Sequence, residues 1–133
     1  MENEDVRWKQ RFQNFEKAFL FFNSAIEKES YTPIEVGGLV KAFEFTFELG
    51  WKTIKDFLYL QGLSTNYPRE VIKEAFQTKI VDDGHTWLHM LEKRNELSHT
   101  YLIMKPLPNK RSMRSKTGII LPLARYINFL RAK

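Results

Sequence analysis

The longest amphipathic stretch of the chain, residues 33–61, reads PIEVGGLVKAFEFTFELGWKTIKDFLYLQ. Thr32 and Pro33 are a typical helix start, because Thr caps the first free amides and Pro fits the first helical position. Gly62 follows as a candidate C-terminal cap. The main apolar face has helical spacing and consists of Val36, Leu39, Val40, Phe43, Phe47, Ile54, Phe57 and Leu58. The opposite side carries a second apolar stripe of Phe45, Leu49 and Leu60. We therefore expect a helix that is central in a bundle or covered by another chain, and we favour a subunit contact.

The flanking segments also have helical patterns. Residues 4–28 form an amphipathic helix whose apolar residues alternate at spacings of three and four; they are Phe12, Phe15, Phe19, Phe22 and Ile26. Pro68 opens a short third helix at 68–79, and the acids at 82–83 can cap a fourth helix at about 85–101. Strand-like alternation and internal repeats are absent from the sequence. The sequence thus predicts one all-α domain over residues 1–133, an up-and-down antiparallel bundle of four or five helices.

Composition narrows the classes of function. The chain has 133 residues, 43% of them hydrophobic, which fits one folded domain. Because it contains no Cys, disulfides, thiolate metal sites and Cys nucleophiles are excluded. His85 and His89 are four residues apart, but no third ligand is evident and no metal site is expected. We expect no signal peptide, no membrane segment and a cytoplasmic location.

The positive charge of the chain is unevenly distributed. The formal net charge is +5, and residues 105–131 contain seven Lys or Arg and no acid. Such a charge suggests RNA or an acidic protein as a partner. The excess lies at the C-terminal end rather than on the whole surface, so it is a local feature.

Residues 94–101 read RNELSHTY and place a charged residue on an apolar helix face. On a helical wheel, Arg94 lies within the same arc as Trp87, which should face the core. An arginine there needs a partner or an open groove, because buried charges are costly. A salt bridge to Glu44 or Glu48 of the second helix would satisfy it without any function.

Further polar residues lie along one edge beside Arg94. They are Asn95, Ser98 and His99. Arg94 and His99 are about 140° apart on a helix, so they would converge only on a ligand in a groove or across a two-fold dimer. A histidine at a helix edge is equally well explained as a hydrogen-bonded structural residue. The spacing leaves the structural and the functional interpretation open.

The spacing R-x4-H of Arg94 and His99, followed by Tyr101, matches the motif of HEPN proteins. Three other segments, 43–52, 68–76 and 87–91, occur in the same order as in the nucleotidyltransferase substrate-binding family of that superfamily. The chain resembles this family over roughly residues 8–101. The resemblance implies an antiparallel helical bundle that forms a homodimer and binds a separately encoded minimal nucleotidyltransferase. ATP and Mg²⁺ would belong to that partner, and no cofactor is implied for this chain.

The resemblance implies two functions for the motif residues. In the first, which we prefer, the chain is a substrate-binding subunit, and we assign binding roles to Asn95, Ser98, Glu44 and Glu48. In the second, it is a metal-independent RNase toxin that the partner neutralises by adding AMP to a tyrosine. Arg94 would then stabilise the scissile phosphate, and His99 would transfer protons during attack by the ribose 2′-OH. Asn95 and Ser98 would orient these two residues, and Tyr101 would accept AMP. If Arg94 is fully neutralised by an acid, the remaining alternative is a helical dimer without a catalytic or substrate-binding site.

The family pattern breaks after Tyr101. Residues 102–121 contain two Pro, one Gly and no acid, where the family continues with an acidic helix. Resemblance resumes at 122–126, inside a predicted last helix at about 121–132. Our hypothesis is that residues 102–120 reflect a reading-frame slip in the gene or its sequencing. The alternative is a basic surface loop that contacts RNA or an acidic partner.

Overall fold

The computed structural model describes residues 2–27 and 32–99, and it leaves out the side chains of residues 2–5, 36 and 97–99. Within these ranges the chain forms four helices and no strand: α1 (Glu2–Ala25), α2 (Pro33–Leu60), α3 (Pro68–Gln77) and α4 (Gly84–His99). The prediction of an all-α bundle is confirmed. The predicted fifth helix and the basic segment 102–120 lie outside the described residues.

Helices α1 and α2 pack along most of their lengths in opposite directions. Contacting residues are spaced by seven on both helices: Trp8 with Phe57 (ring centroids 5.5 Å apart), Phe15 with Gly50, and Phe22 with Phe43 (6.0 Å). As the residue number rises along α1 it falls along α2, so the two helices are antiparallel. A Cβ atom at Gly50 would lie 3.0 Å from Phe15 Cε1 and 3.2 Å from Trp87 Cη2. Gly50 therefore allows α1 and α4 to approach the backbone of α2.

The core confirms most of the predicted apolar faces. On α1 the buried members of the predicted stripe are Phe15, Phe19, Phe22 and Ile26, while Phe12 is half-buried. On α2 the predicted main face is buried at Leu39, Val40, Phe43, Phe47, Ile54, Phe57 and Leu58. The second stripe of α2 is divided: Phe45 is 55% exposed, whereas Leu49 and Leu60 pack against the core. Helix α2 is thus central in the described bundle, and only part of its second stripe faces outward.

Local signals set the ends of α2. Thr32 Oγ1 accepts a hydrogen bond from the Glu35 amide at 3.2 Å, and the Glu35 carboxylate accepts one from the Thr32 amide at 3.0 Å. This capping box confirms the predicted start. At the other end Gly62 has φ +86°, and the amides of Gly62 and Leu63 donate to the carbonyls of Tyr59 and Leu58. The helix therefore ends in a Schellman motif at the predicted glycine.

Helix α3 ends in the same motif without a glycine. Lys79 has φ +64°, and the amides of Lys79 and Ile80 donate to the carbonyls of Phe76 and Ala75 at 3.2 and 2.8 Å. A lysine in this left-handed conformation is strained, because its Cβ crowds the backbone. The motif turns the chain back so that Ile80 and Val81 are buried.

The turn before α4 is also built from local contacts. Asp83 Oδ1 accepts from the Thr86 amide at 3.1 Å, and Asp83 Oδ2 accepts from Thr86 Oγ1 at 2.7 Å. The prediction that an acid caps this helix is confirmed for Asp83. A Cβ atom at Gly84 would lie 2.7 Å from Phe76 Cγ, so α3 and α4 meet closely at the turn. These contacts position α4 with Trp87 in the core.

Candidate functional site

Arg94 lies on α4, one turn after the residues that form the buried face of this helix. Trp87, Met90 and Leu91 in the preceding turns are buried, and Trp87 lies 6.1 Å from the Phe47 ring of α2. The side chain of Arg94 is 25% exposed. The helical wheel therefore predicted the correct face of α4 for Arg94. At this position the face is partly open to solvent.

The guanidinium group of Arg94 binds Glu48 of α2. Both Nε and Nη2 of Arg94 lie 2.5 Å from Glu48 Oε1. Of the two acids proposed as partners of the arginine, the structure therefore selects Glu48. Both side chains are partly shielded, since Glu48 is 29% exposed, so the interaction is screened less than a fully exposed surface pair.

The second oxygen of Glu48 is held as well. Glu48 Oε2 accepts a hydrogen bond from Trp51 Nε1 at 3.1 Å and lies 3.9 Å from Lys52 Nζ. Trp51 is buried, so its indole anchors the carboxylate to the core side of α2. A charge-assisted contact on each oxygen holds the Glu48 carboxylate in one orientation.

Asn95 contacts the other side of the guanidinium. Its Oδ1 accepts a hydrogen bond from Arg94 Nη1 at 2.8 Å. Together Glu48 and Asn95 hold the plane of the Arg94 side chain from two directions. A guanidinium held in this way suits a planar, two-point contact with an oxyanion such as phosphate.

Glu44 takes a different position. Its Oε2 lies 3.9 Å from Lys41 Nζ on the same helix, and Lys41 Nζ also lies 5.0 Å from the centroid of the Phe45 ring. The described contacts of Glu44 therefore do not include Arg94. Its predicted role in substrate binding stays a prediction.

The remaining predicted site residues lie at or beyond the end of the described part. The backbones of Ser98 and His99 belong to the last turn of α4, and their side chains are not described. Tyr101 lies outside the described residues. The proposed roles of Ser98, His99 and Tyr101 stay predictions. Among the predicted site residues whose side chains are described, the structure brings Arg94, Asn95 and Glu48 together.

Sequence reasoning missed two participants, Trp51 and Lys52. They follow Glu48 by three and four residues on α2, so one helix face carries the acid, the indole that donates a hydrogen bond to it and a cation that pairs with it. This spacing was readable from the sequence. Trp51 was recognised only as part of a family segment, because nothing in the sequence tells which tryptophans hydrogen-bond.

Metal and membrane features are absent from what is described. Among the residues whose side chains are described, no group of three or more His, Asp or Glu could hold a metal ion. None of the four described helices is long and apolar enough to cross a membrane.

The all-helical fold agrees with comparisons to known proteins. The family described as "Nucleotidyltransferase substrate binding protein like" matches residues 10–103, and the chain belongs to this family. The match ends two residues after Tyr101, near the point where the family pattern breaks.

The chain is also similar to individual proteins. A Haemophilus influenzae (strain ATCC 51907 / DSM 11121 / KW20 / Rd) protein named "Probable ribonuclease HepT" is 30% identical over 71 residues, which are 50% of this chain and 49% of that protein. The chain thus spans about half the length of the curated relative it matches. A crystal structure of a protein from Thermus thermophilus is 25% identical, covers 89% of this chain and 96% of that one, and has a TM-score of 0.66. The similarity to that structure extends over most of the helical bundle.

Proposed function

We propose that the chain is the helical substrate-binding subunit of a two-protein nucleotidyltransferase. The observation that carries the proposal is the family match over residues 10–103, which includes most of α1 and all of α2 to α4. The motif at 94–101 covers only one helix end, so the longer match has more weight. The separately encoded partner would hold ATP and Mg²⁺ and carry out nucleotidyl transfer.

The site around Arg94 supports a binding role. Its guanidinium is fixed by Glu48 and Asn95, and a quarter of the side chain is open to solvent. A cation that is already oriented loses less entropy when it binds an anionic group. In this proposal Arg94 receives a phosphate of the substrate, with Asn95, Ser98, Glu44 and Glu48 around it.

Coexpression tests the pairing. The partner is sought in the adjacent gene, as a small protein with the G-S and D-x-D motifs of a nucleotidyltransferase. The two proteins are expressed together, purified through a tag on one, and sized by chromatography with light scattering. We expect one co-eluting complex, and the chain alone should run at twice its monomer mass. Separate elution of the two proteins would contradict the pairing, and a monomer would contradict the homodimer.

A ribonuclease activity is the second candidate, favoured by the similarity to the Haemophilus protein named as a probable ribonuclease. Here the ribose 2′-OH attacks phosphorus while His99 accepts its proton or supplies one to the departing 5′-oxygen. The products are a 2′,3′-cyclic phosphate and a 5′-OH. Arg94 stabilises the charge that develops on the phosphate oxygens. The nucleophile comes from the RNA, so this route requires no metal ion.

RNA cleavage in EDTA tests this candidate. The purified chain is incubated with a labelled single-stranded RNA, and wild type is compared with Arg94→Ala and His99→Ala. Lys93→Ala is the matched control, since it removes a neighbouring cation that pairs with Glu96 at 3.3 Å. We expect cleavage by wild type and the control and loss of at least about 100-fold in the two motif variants. Equal cleavage by all four proteins would show that a contaminant is responsible.

Modification of Tyr101 is tested with the partner present. The partner would transfer AMP from ATP to the Tyr101 hydroxyl and release pyrophosphate. Intact-mass spectrometry should show one added AMP in wild type and none in Tyr101→Phe. An AMP that remains on the Tyr101→Phe variant would remove this role.

A further inference from the structure

Lys52 lies beside the site around Arg94, one helical turn after Glu48 on α2. Its Nζ is 3.9 Å from Glu48 Oε2, which is an ion pair but too long for a hydrogen bond. The Lys52 side chain is 46% exposed, and its Nζ donates no hydrogen bond to any described residue. An ammonium group has three N–H donors. Lys52 can therefore bind a ligand without leaving Glu48.

A single carboxylate thus brings together two cations from different helices. Arg94 of α4 contacts Oε1 of Glu48, and Lys52 of α2 pairs with Oε2. The Trp51 indole holds the same carboxylate through a hydrogen bond of 3.1 Å. Because the two oxygens belong to one small group, the guanidinium and the ammonium border the same small area of the surface.

The second cation gives this area its positive charge. Arg94 and Glu48 alone neutralise each other, so an anion that binds the arginine must compete with the carboxylate. With Lys52 included, the three side chains carry one net positive charge. Asn95, which accepts a hydrogen bond from the guanidinium, is neutral. An anionic group therefore gains more from contacting both cations than from contacting Arg94 alone.

We propose that Lys52 is a specificity-determining residue of this site and selects a terminal phosphate monoester over an internal phosphodiester. The inference rests on the proposed role of Arg94 in binding phosphate. A phosphodiester has two non-bridging oxygens, and the guanidinium fork of Arg94 can occupy both. A phosphate monoester has a third oxygen, which accepts from Lys52 Nζ. It also carries a charge of about −1.5 to −2 at pH 7, whereas a diester carries a single negative charge.

This preference separates the two candidate functions of the chain. The ribonuclease candidate acts on an internal phosphodiester of RNA. A substrate-binding subunit that prefers a phosphate monoester would instead present a nucleotide, or the phosphorylated end of an oligonucleotide, to its partner. The shared chemistry of these two substrates is the terminal phosphate that Arg94 and Lys52 contact together.

NMR titration of the full chain without a partner protein tests the proposal. The probes are a thymidine dinucleotide, the same dinucleotide with a 5′-phosphate, and thymidine 5′-monophosphate. None has a 2′-OH, so the ribonuclease route cannot cleave them. The signal to follow is the indole N–H of Trp51, assigned by its loss in Trp51→Phe, because this group donates to Glu48 and reports on the carboxylate.

Both phosphorylated probes should shift the Trp51 signal. We expect the phosphorylated dinucleotide to bind at least about tenfold more tightly than the unphosphorylated one, because only the former reaches both cations. A difference in affinity between the phosphorylated dinucleotide and the mononucleotide distinguishes the end of an oligonucleotide from a free nucleotide.

Variants separate a specificity role of Lys52 from a structural one. Lys52→Gln should reduce the preference for the phosphorylated dinucleotide to within about twofold and leave binding of the unphosphorylated one unchanged. Lys52→Arg keeps the charge and should keep most of the preference. A purely structural role would weaken both dinucleotides alike, through displacement of Arg94. Lys93→Gln is the matched control, since Lys93 precedes Arg94 and pairs with Glu96 at 3.3 Å, and it should change neither affinity.

Four outcomes would overturn the proposal. They are equal binding of the two dinucleotides by wild type, a preference that persists in Lys52→Gln, binding that leaves the Trp51 signal in place, and absence of binding. If both dinucleotides bind equally and both are lost in Arg94→Gln, Arg94 still binds phosphate and only the role of Lys52 is wrong. If neither binds, phosphate binding at Arg94 is wrong as well, and the pairing with a nucleotidyltransferase is tested separately by coexpression.

Discussion

The contact between Glu48 and Arg94 should contribute measurable coupling to the stability of the bundle. Exposed ion pairs contribute about 0.2–1 kcal/mol, whereas breaking a buried pair costs about 3–5 kcal/mol. Arg94 and Glu48 are 25% and 29% exposed, and both Nε and Nη2 reach the same oxygen. We therefore expect a coupling energy between these limits, about 1–2 kcal/mol, after allowance for solvent screening.

A double-mutant cycle measures this coupling. Urea unfolding is compared for wild type, Glu48→Gln, Arg94→Gln and the double variant at pH 7 and low salt. At position 48, glutamine keeps the shape of the side chain and removes its charge. At position 94 it is shorter than arginine, but it keeps an N–H donor while it removes the charge. The matched control is the cycle for Lys93 and Glu96 on the same helix, whose side chains are 36% and 57% exposed. That pair should couple by about 0.3 kcal/mol and lose the coupling in salt.

The comparison between the two cycles can refute the reasoning. If Glu48 and Arg94 couple no more strongly than Lys93 and Glu96, Glu48 does not anchor the arginine. The interpretation of Arg94 as a preoriented anion-binding group would then lose its physical basis. A coupling energy above about 3 kcal/mol would instead indicate a buried structural ion pair. That result would favour the interpretation as a helical dimer without a catalytic or substrate-binding site.

Four further substitutions test other features of the fold. Lys79→Gly should stabilise the protein by about 1 kcal/mol in urea unfolding, because glycine adopts φ +64° without strain. Gly62 has the same left-handed conformation at the end of α2, so Gly62→Ala should destabilise the protein by a similar amount. Gly50→Ala should cost about 1–3 kcal/mol, since its Cβ would lie 3.0 Å from Phe15 Cε1; an unchanged urea midpoint would contradict this close packing. Burial raises the pKa of the Asp56 carboxyl group, so the folded protein keeps this proton to higher pH than the unfolded chain does. The stabilising contribution of the protonated Asp56 is therefore full below the ordinary pKa of 3.8, and it is lost as the pH rises through the pKa in the folded protein. The stability of wild type relative to Asp56→Asn should therefore fall with rising pH in this window, and a rise would contradict the role of desolvation.

The helices could be predicted because their signals are local. Thr32 and Glu35 form a capping box within four residues, and Asp83 caps α4 through Thr86. The apolar stripes have a helical period that needs no knowledge of the partner helix. The left-handed Lys79 could not be predicted, since the strain is accepted only because Ile80 and Val81 gain burial after the turn.

The site was predictable as a location but not as a set of contacts. The wheel indicated that Arg94 needs a partner, yet it could not choose between Glu44 and Glu48. That choice depends on how α4 crosses α2, which is set by Trp87 packing against Phe47 and the bare backbone at Gly50.

The pairing of Arg94 with Glu48 is compatible with a role in binding phosphate. If the guanidinium turned toward an incoming phosphate, Glu48 would keep the hydrogen bond from Trp51 at 3.1 Å and the charge of Lys52 at 3.9 Å. The carboxylate would therefore not be left as an uncompensated charge, which is the main cost of breaking a buried pair. Glu48 thus orients Arg94 in the free protein, and its contacts with Trp51 and Lys52 on α2 lower the free-energy cost of releasing the arginine to a ligand.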